Sequence, residues 1–131
     1  MSKNLDAVRG SYEASAAGDV NGLLSLLAPD ARWTEMAGSP YAGTYTGAEE
    51  ILTGVFQRLG DEWEDFQAVP EQYVDGHDTI AVVGTYTGTH RATGRRLAAR
   101  FVHVWWCEDG VATRFEQFAD TALLQEAPRA R

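Results

Sequence analysis

The sequence has few cysteines, no long apolar run and few basic residues. Cys107 is the single cysteine among 131 residues, so no internal disulfide can form, and no cysteine–histidine cluster has zinc-site spacing. No apolar run approaches the ~20 residues that span a bilayer, and the first residues lack the apolar segment of a secretory signal. We therefore expect a cytoplasmic protein that has no membrane partner and needs no metal or other cofactor.

Basic residues are also scarce, with 11 lysines and arginines against 19 acids and a formal net charge of −8. Proteins bind nucleic acids largely by neutralising phosphates with lysine and arginine, so this balance argues against a nucleic-acid partner. The length of 131 residues matches one domain of typical size, and the 44% apolar content is enough for a hydrophobic core. We expect a single domain over residues 1–131.

The first 60 residues carry apolar side chains at helical spacing and predict three helices. Gly18 ends the first helix, and Asp19 is placed to cap a short second helix that stops before Pro29. Thr46 and Glu49 have the spacing of a capping box, which predicts that the third helix begins there.

The rest of the chain has the composition of strands and turns. A short strand is predicted at 31–36, and the loop at 38–47 is expected to border a pocket, although a passive connection explains it equally well. Longer strands separated by hairpin signals are predicted near 63–74, 79–90, 96–107 and 111–119, with a last helical turn after them. Helices followed by strands are typical of an α+β fold. We expect a cone-shaped, curved mixed sheet packed on three N-terminal helices that leave a pocket unfilled.

Both faces of the strand near 96–107 are apolar. Alternation places Phe101, His103 and Trp105 on one face and Val102, Val104 and Trp106 on the other. The helices can cover only one of these faces, so the other needs a partner, and a second copy of the chain would supply it. We expect a homodimer.

Glu35 and His103 are polar residues set among aromatic ones, which makes them candidate catalytic residues. Glu35 shares a strand face with Trp33, where desolvation would raise its pKa toward the range of a general base. Glu116 on the last strand is a reserve acid or base. Each has a structural alternative as well. Glu35 could be an exposed strand-end acid and His103 a core histidine. Glu116 could be a solvated or interface acid, or the ion-pair partner of Arg100.

Aromatic side chains are numerous in the same segments and would form an apolar wall for a hydrophobic or aromatic small molecule. Taken one by one, each is also consistent with simple core packing. The residues expected to contact a ligand are Trp33, Trp63, Tyr86, Phe101, Trp105 and Tyr12.

Two segments resemble a known superfamily. The run YEASAAGDVNGLLSLLAPDARWTEMAGSPYAGTYTGAEEI resembles the N-terminal half of nuclear-transport-factor-2-like proteins, and FVHVWWCEDGVATRFEQFADT resembles their two C-terminal strands. The branch that fits best contains the ketosteroid isomerases and the SnoaL-like polyketide cyclases. The resemblance implies the cone-shaped fold, but this fold hosts several reactions as well as proteins without catalysis.

The isomerase branch implies roles for particular positions. Its general base lies on the short strand, five residues after the aspartate of an Asp-Ala pair, which is Glu35 when counted from Asp30. Its second acid, which donates a hydrogen bond to an oxyanion, falls on His103. Its first-helix tyrosine falls on Ser11, with Tyr12 next to it, and this departure argues against the steroid reaction itself.

The cyclase branch matches the chain better at two positions. SnoaL-like cyclases carry a histidine on the penultimate strand and an acid on the last strand, which correspond to His103 and Glu116. The resemblance therefore implies a cofactor-free enzyme that abstracts a proton next to a carbonyl, as an isomerase, cyclase or dehydratase, with Glu35 as base. Two alternatives remain open: a module that binds a hydrophobic ligand without turnover, and a dimerisation module with a filled pocket.

Overall fold

The structure is a computed structural model that describes residues 2–129. Its helices are α1 Lys3–Ala16, α2 Val20–Leu24, α3 Gly47–Ile51, a π-helical segment Leu52–Phe56, α4 Gln57–Glu62 and α5 Thr121–Glu126. Its strands are β1 Leu27–Glu35, β2 Gly43–Thr46, β3 Trp63–Asp75, β4 Thr79–His90, β5 Arg96–Glu108 and β6 Val111–Ala119. No helix within residues 2–129 is long and apolar enough to cross a membrane.

All six strands belong to one curved sheet with the order β2-β1-β6-β5-β4-β3. β1 pairs with β6 in parallel, and the other neighbouring strands are antiparallel. The sheet is therefore mixed, and the helical segments before β3 pack on its concave face around a shared core. This confirms the predicted α+β fold with a curved mixed sheet and helices at the N-terminal end.

Short polar residues cap α1, α2 and α5 with their side chains, as their chemistry favours. Asp19 accepts a hydrogen bond from the Gly22 amide at 2.9 Å at the start of α2. The predicted capping box at the third helix was wrong, because the Thr46 amide donates to Glu50 at 3.0 Å and not to Glu49. Gly47 begins that helix with a φ of 82°, which lies outside the helical range and removes the regular first turn that a capping box needs.

The first strand is longer than predicted, and the loop after it contains a strand. β1 begins at Leu27 although Pro29 follows, because the register with β6 is irregular between Leu27 and Arg32 and proline is tolerated at such bulges. β2 then pairs back onto β1, with Tyr45 opposite Trp33. The segment 38–47 is therefore a tight turn followed by an edge strand.

Candidate functional site

A cavity of about 310 Å³ lies between the helices and the concave face of the sheet. Its lining is mainly aromatic and apolar, which suits an organic molecule of modest size. Five of the aromatic residues predicted to contact a ligand line it, namely Tyr12, Trp33, Trp63, Tyr86 and Trp105. The described residues therefore leave the cone open rather than filled.

Phe101, the sixth predicted contact residue, does not line the cavity. Its ring stacks against His103 with centroids 4.0 Å apart, and it covers Gly84 on the neighbouring strand. A Cβ atom at Gly84 would lie 2.5 Å from the Phe101 ring, so the missing side chain is what lets the ring lie flat on the sheet. Phe101 packs against the imidazole within the sheet, and this position does not fit the predicted direct contact with a ligand.

The sheet places three polar side chains in one row that faces the cavity. Glu35 on β1 lies opposite Gln117 on β6, and Gln117 lies opposite His103 on β5. Because neighbouring strands are about 4.8 Å apart, Gln117 separates Glu35 from His103 by one strand. The structure thus brings the two predicted candidates to one cavity, with a glutamine between them.

Glu35 is a buried carboxyl with few partners. It is 6% exposed, and its Oε2 accepts a hydrogen bond of 2.9 Å from the Trp33 indole. Within residues 2–129 this is its single hydrogen bond, and no basic side chain pairs with it. Burial raises the pKa of Glu35 to about 7, while the Trp33 hydrogen bond acts in the opposite direction.

His103 is a neutral imidazole whose two ring nitrogens are both occupied. Nδ1 is hydrogen-bonded to the Tyr12 hydroxyl, and Nε2 is hydrogen-bonded to the Tyr86 hydroxyl at 2.5 Å. Burial lowers the pKa of His103 to about 3, so the imidazolium is absent near neutral pH. The implied role of His103 as the hydrogen-bond donor to a substrate oxygen does not fit this geometry, because both ring nitrogens are hydrogen-bonded to the two tyrosines.

Two further donors complete this buried chain of hydrogen bonds. Trp105 Nε1 donates to the Tyr12 hydroxyl at 3.1 Å, and Gln117 Nε2 donates to the Tyr86 hydroxyl at 3.0 Å. The Met36 amide donates to Gln117 Oε1 at 3.3 Å, which determines which end of the Gln117 amide faces Tyr86. We call these five side chains the polar relay: Trp105, Tyr12, His103, Tyr86 and Gln117.

Gln117 is the main site residue that the sequence analysis missed. It is 3% exposed and follows Phe115 by two positions, so strand alternation puts both on the concave face. The same alternation was available in the sequence. It did not distinguish Gln117 from Glu116, because apolar residues occur on both faces of β6.

Glu116 lies on the opposite side of the sheet from the cavity. It pairs with Val104 across the strands, and its carboxylate accepts a hydrogen bond of 2.5 Å from Arg114. The prediction that Glu116 is a reserve acid or base of the pocket was therefore wrong about its location. Arg100 is hydrogen-bonded to Glu71 rather than to Glu116.

No three histidine, cysteine, aspartate or glutamate side chains of residues 2–129 cluster as metal ligands would.

The turn after β1 forms part of the cavity rim. Ser39, Pro40 and Tyr41 line the cavity, whereas Tyr45 packs on Gly54 outside it. The Tyr41 hydroxyl accepts a hydrogen bond of 3.0 Å from the Trp63 indole. The position of Tyr41 in the cavity wall confirms the prediction that the segment 38–47 borders the pocket.

The comparison with protein families agrees with this geometry. The model of the SnoaL-like domain matches residues 8–115. The chain belongs to this family. No curated protein matches the sequence.

Several solved structures share the SnoaL-like architecture of this chain. An NTF2-like protein from Burkholderia thailandensis E264 is 41% identical, with a TM-score of 0.95 over 99% of this chain and 100% of that one. An NTF2-like protein of unknown function from Burkholderia pseudomallei K96243 is 37% identical, with a TM-score of 0.91 over 99% of this chain and 100% of that one. TerC, co-crystallised with polyporic acid, is 29% identical, with a TM-score of 0.87 over 96% of this chain and 98% of that one.

Within the SnoaL-like fold, the first-helix position that corresponds to the isomerase tyrosine has a structural role here. Ser11 is 4% exposed, and its hydroxyl donates to the Leu23 carbonyl at 2.9 Å, which ties α1 to α2. The neighbouring Tyr12 is the residue that reaches the polar relay.

Proposed function

We propose that this SnoaL-like protein is a small-molecule enzyme in which Glu35 removes a proton from a carbon next to a carbonyl group. The supporting observation is the environment of Glu35, a carboxyl facing an apolar cavity with one hydrogen bond and a pKa of about 7. A general base works best when its pKa lies near the working pH. The neutral His103 also adds no cation that would hold the carboxylate in an ion pair.

The proposed step balances without an added redox partner. The substrate C–H bond breaks, its proton moves to a Glu35 oxygen, and its electron pair forms an enolate. Where the enolate is conjugated with a carbon–carbon double bond, return of the proton to the far carbon of this dienolate would isomerise the substrate. Attack of the enolate carbon on a second carbonyl of the same molecule would form a ring, and the proton on Glu35 would move to the alkoxide oxygen that results. Expulsion of a β-hydroxyl group, with the proton from Glu35, would release water.

The cavity favours an aromatic substrate. Its wall includes Trp33, Trp105 and Phe115, whose rings pack face to face or edge to face with one another. Aromatic pairs of this kind add about 0.5–1.5 kcal/mol each beyond burial, so a flat ring can be bound through similar contacts. Because TerC was co-crystallised with polyporic acid, we propose polyporic acid as the first ligand to test here.

An isotope-exchange assay tests the proposed proton abstraction before the natural substrate is known. Aromatic ketones such as 2-acetylnaphthalene would be incubated with the protein in D₂O, and loss of the α-hydrogen signal would be followed by NMR. We expect enzyme-dependent exchange in the wild type. Glu35→Gln keeps the side-chain shape but removes the base, so exchange should fall at least ~10²-fold while the fold is retained.

Glu116→Gln is the matched control, because it makes the same change on the outer face of the sheet. It should exchange at the wild-type rate. Full exchange by Glu35→Gln, or an equal loss in both variants, would contradict the role of Glu35. Saturable ketone binding without any exchange in the wild type would identify a binding module instead.

A further inference from the structure

The hydrogens of the polar relay can be counted. The relay contains four hydrogen bonds, and Trp105 and Gln117 each donate to one tyrosine oxygen. A neutral imidazole has one N–H and one lone-pair nitrogen, so His103 donates to one tyrosine and accepts from the other. The tyrosine that accepts from the imidazole N–H therefore accepts two hydrogen bonds, and its own O–H donates none within the relay.

One tyrosine hydroxyl proton is consequently left over in either tautomer of His103. If His103 carries its hydrogen on Nε2, the surplus O–H belongs to Tyr86. If the hydrogen is on Nδ1, the surplus belongs to Tyr12. Both phenols line the cavity, so the hydroxyl that has no acceptor within the relay can donate to an acceptor placed in the cavity.

The position of Glu35 distinguishes the two ends of the relay. Glu35 neighbours Gln117 across the strands, and Gln117 is bonded to Tyr86, so the carboxyl lies at the Tyr86 end. Burial raises the pKa of the Tyr86 phenol, and the nearby charge of Glu35 raises it further. A carboxylate favours a hydrogen-bond donor beside it, and therefore favours the tautomer that leaves the proton on Tyr86.

We propose that Tyr86 is the hydrogen-bond donor to the oxygen of a bound carbonyl ligand, with His103 in the Nε2–H tautomer and Gln117 as a positioning residue. This inference deepens the proposed function, because Tyr86 would hold the carbonyl oxygen, and the developing enolate, while Glu35 takes the proton. A preorganised donor at that oxygen stabilises the charge that forms there. The ligand class is an aromatic ketone or a related carbonyl compound.

The first test measures binding rather than turnover, so its failure is separate from a failure of Glu35 as base. 2-Acetylnaphthalene with a ¹³C-labelled carbonyl would be bound to the protein and examined by infrared spectroscopy. We expect the carbonyl band to lie at lower frequency than in an apolar solvent. Tyr86→Phe should abolish this shift and weaken binding about 3- to 10-fold, as expected for one neutral hydrogen bond.

Tyr45→Phe is the matched control, since it removes the same hydroxyl from a tyrosine that lies outside the cavity and the relay. It should keep the carbonyl shift. A wild-type protein without the shift, or a shift that Tyr86→Phe keeps, would overturn the proposal. Circular dichroism of both variants would establish that they are folded.

The second test needs no ligand. In ¹⁵N-histidine-labelled protein, the ring nitrogens of His103 would be assigned with a His103→Gln variant. We expect the chemical shifts of a protonated Nε2 and an acceptor Nδ1. The opposite tautomer would place the surplus proton on Tyr12 and overturn the assignment to Tyr86.

Discussion

At the scale of single residues, the site depends on a contrast between two buried titratable groups. Burial moves the pKa of Glu35 up to about 7 and the pKa of His103 down to about 3, so neither needs to be charged to fit the cavity. An ion pair between them would require both to be charged. The intervening Gln117 and the two tyrosines keep them apart and satisfy the imidazole with neutral partners.

Glu35 should make folding stability depend on pH in a definite direction. Its pKa is higher in the folded chain than the value of 4.5 expected when unfolded. The stabilisation is therefore fully present below pH 4.5 and is lost as the pH rises toward about 7. At about 1.4 kcal/mol per pKa unit, the loss is roughly 3 kcal/mol.

Glu35→Gln isolates this contribution, because the amide does not titrate and the other groups are shared. Urea unfolding of both proteins across the pH range should show the wild type losing stability relative to the variant between about pH 4.5 and 7. Above about pH 7 the difference in the free energy of unfolding between the two proteins should be constant. A difference that stays flat over the whole range would mean that Glu35 is not desolvated in the folded chain.

At the scale of elements, the short segment between β1 and α3 has two tyrosines with different positions. Tyr41 lines the cavity, and Tyr45 lies on Gly54 with its hydroxyl donating to the Tyr41 carbonyl at 2.8 Å. Truncating either removes packed aromatic surface, so Tyr41→Ala and Tyr45→Ala should both lower the free energy of unfolding, by up to about 3–5 kcal/mol.

Only the Tyr41 variant should also change ligand binding. With polyporic acid or 2-acetylnaphthalene as ligand, titration calorimetry should show weaker binding for Tyr41→Ala and near wild-type binding for Tyr45→Ala. Equal affinities for the two variants would assign both tyrosines to structural support. The segment would then be a connection rather than part of the ligand contact surface.

The alternation along β1 and β5 was enough to predict which elements carry the site. It placed Glu35 beside Trp33, and His103 between Phe101 and Trp105, on the faces where the structure has them. It failed where the deciding factor was a neighbour on another strand. Phe101 lies flat because Gly84 beside it has no side chain, and nothing within the Phe101 segment reveals that pairing.

The last strand shows a second limit of sequence patterns. Phe115 and Phe118 lie on opposite faces of β6, with 1% and 41% of their surface exposed. Two large apolar residues on opposite faces make the concave face ambiguous, and the cyclase resemblance, which implies an acid on this strand, points to Glu116 rather than Gln117. The register with β5 resolves it, because Gln117 lies opposite His103.

At the scale of the whole molecule, the convex face of the sheet is partly apolar. Val102, Val104 and Trp106 are half-buried there, and Phe118 is 41% exposed. Arg114 lies over the Trp106 ring at 4.4 Å and bonds to Glu116, so a polar border adjoins the apolar centre. An apolar centre with a polar rim is the usual composition of a protein interface.

We propose that two copies of the chain associate through this convex face. Light scattering at micromolar concentrations should give about twice the chain mass of 14.4 kDa. Val104→Asp should reduce the mass to that of one chain, because it places a charge in the apolar centre. Leu123→Asp, at an exposed apolar position on α5, is the control and should leave the dimer intact. A monomeric wild type would contradict the proposal.

We expect Glu35 to be a desolvated carboxyl that can act as a base near neutral pH. The most direct test is a ¹³C NMR titration of the glutamate side-chain carboxyl groups, with the Glu35 signal assigned by its absence from Glu35→Gln. We expect a titration midpoint at about 7 for this signal. A midpoint near the ordinary value of 4.5 would contradict it, because such a carboxylate would be solvated or ion-paired rather than held in an apolar cavity.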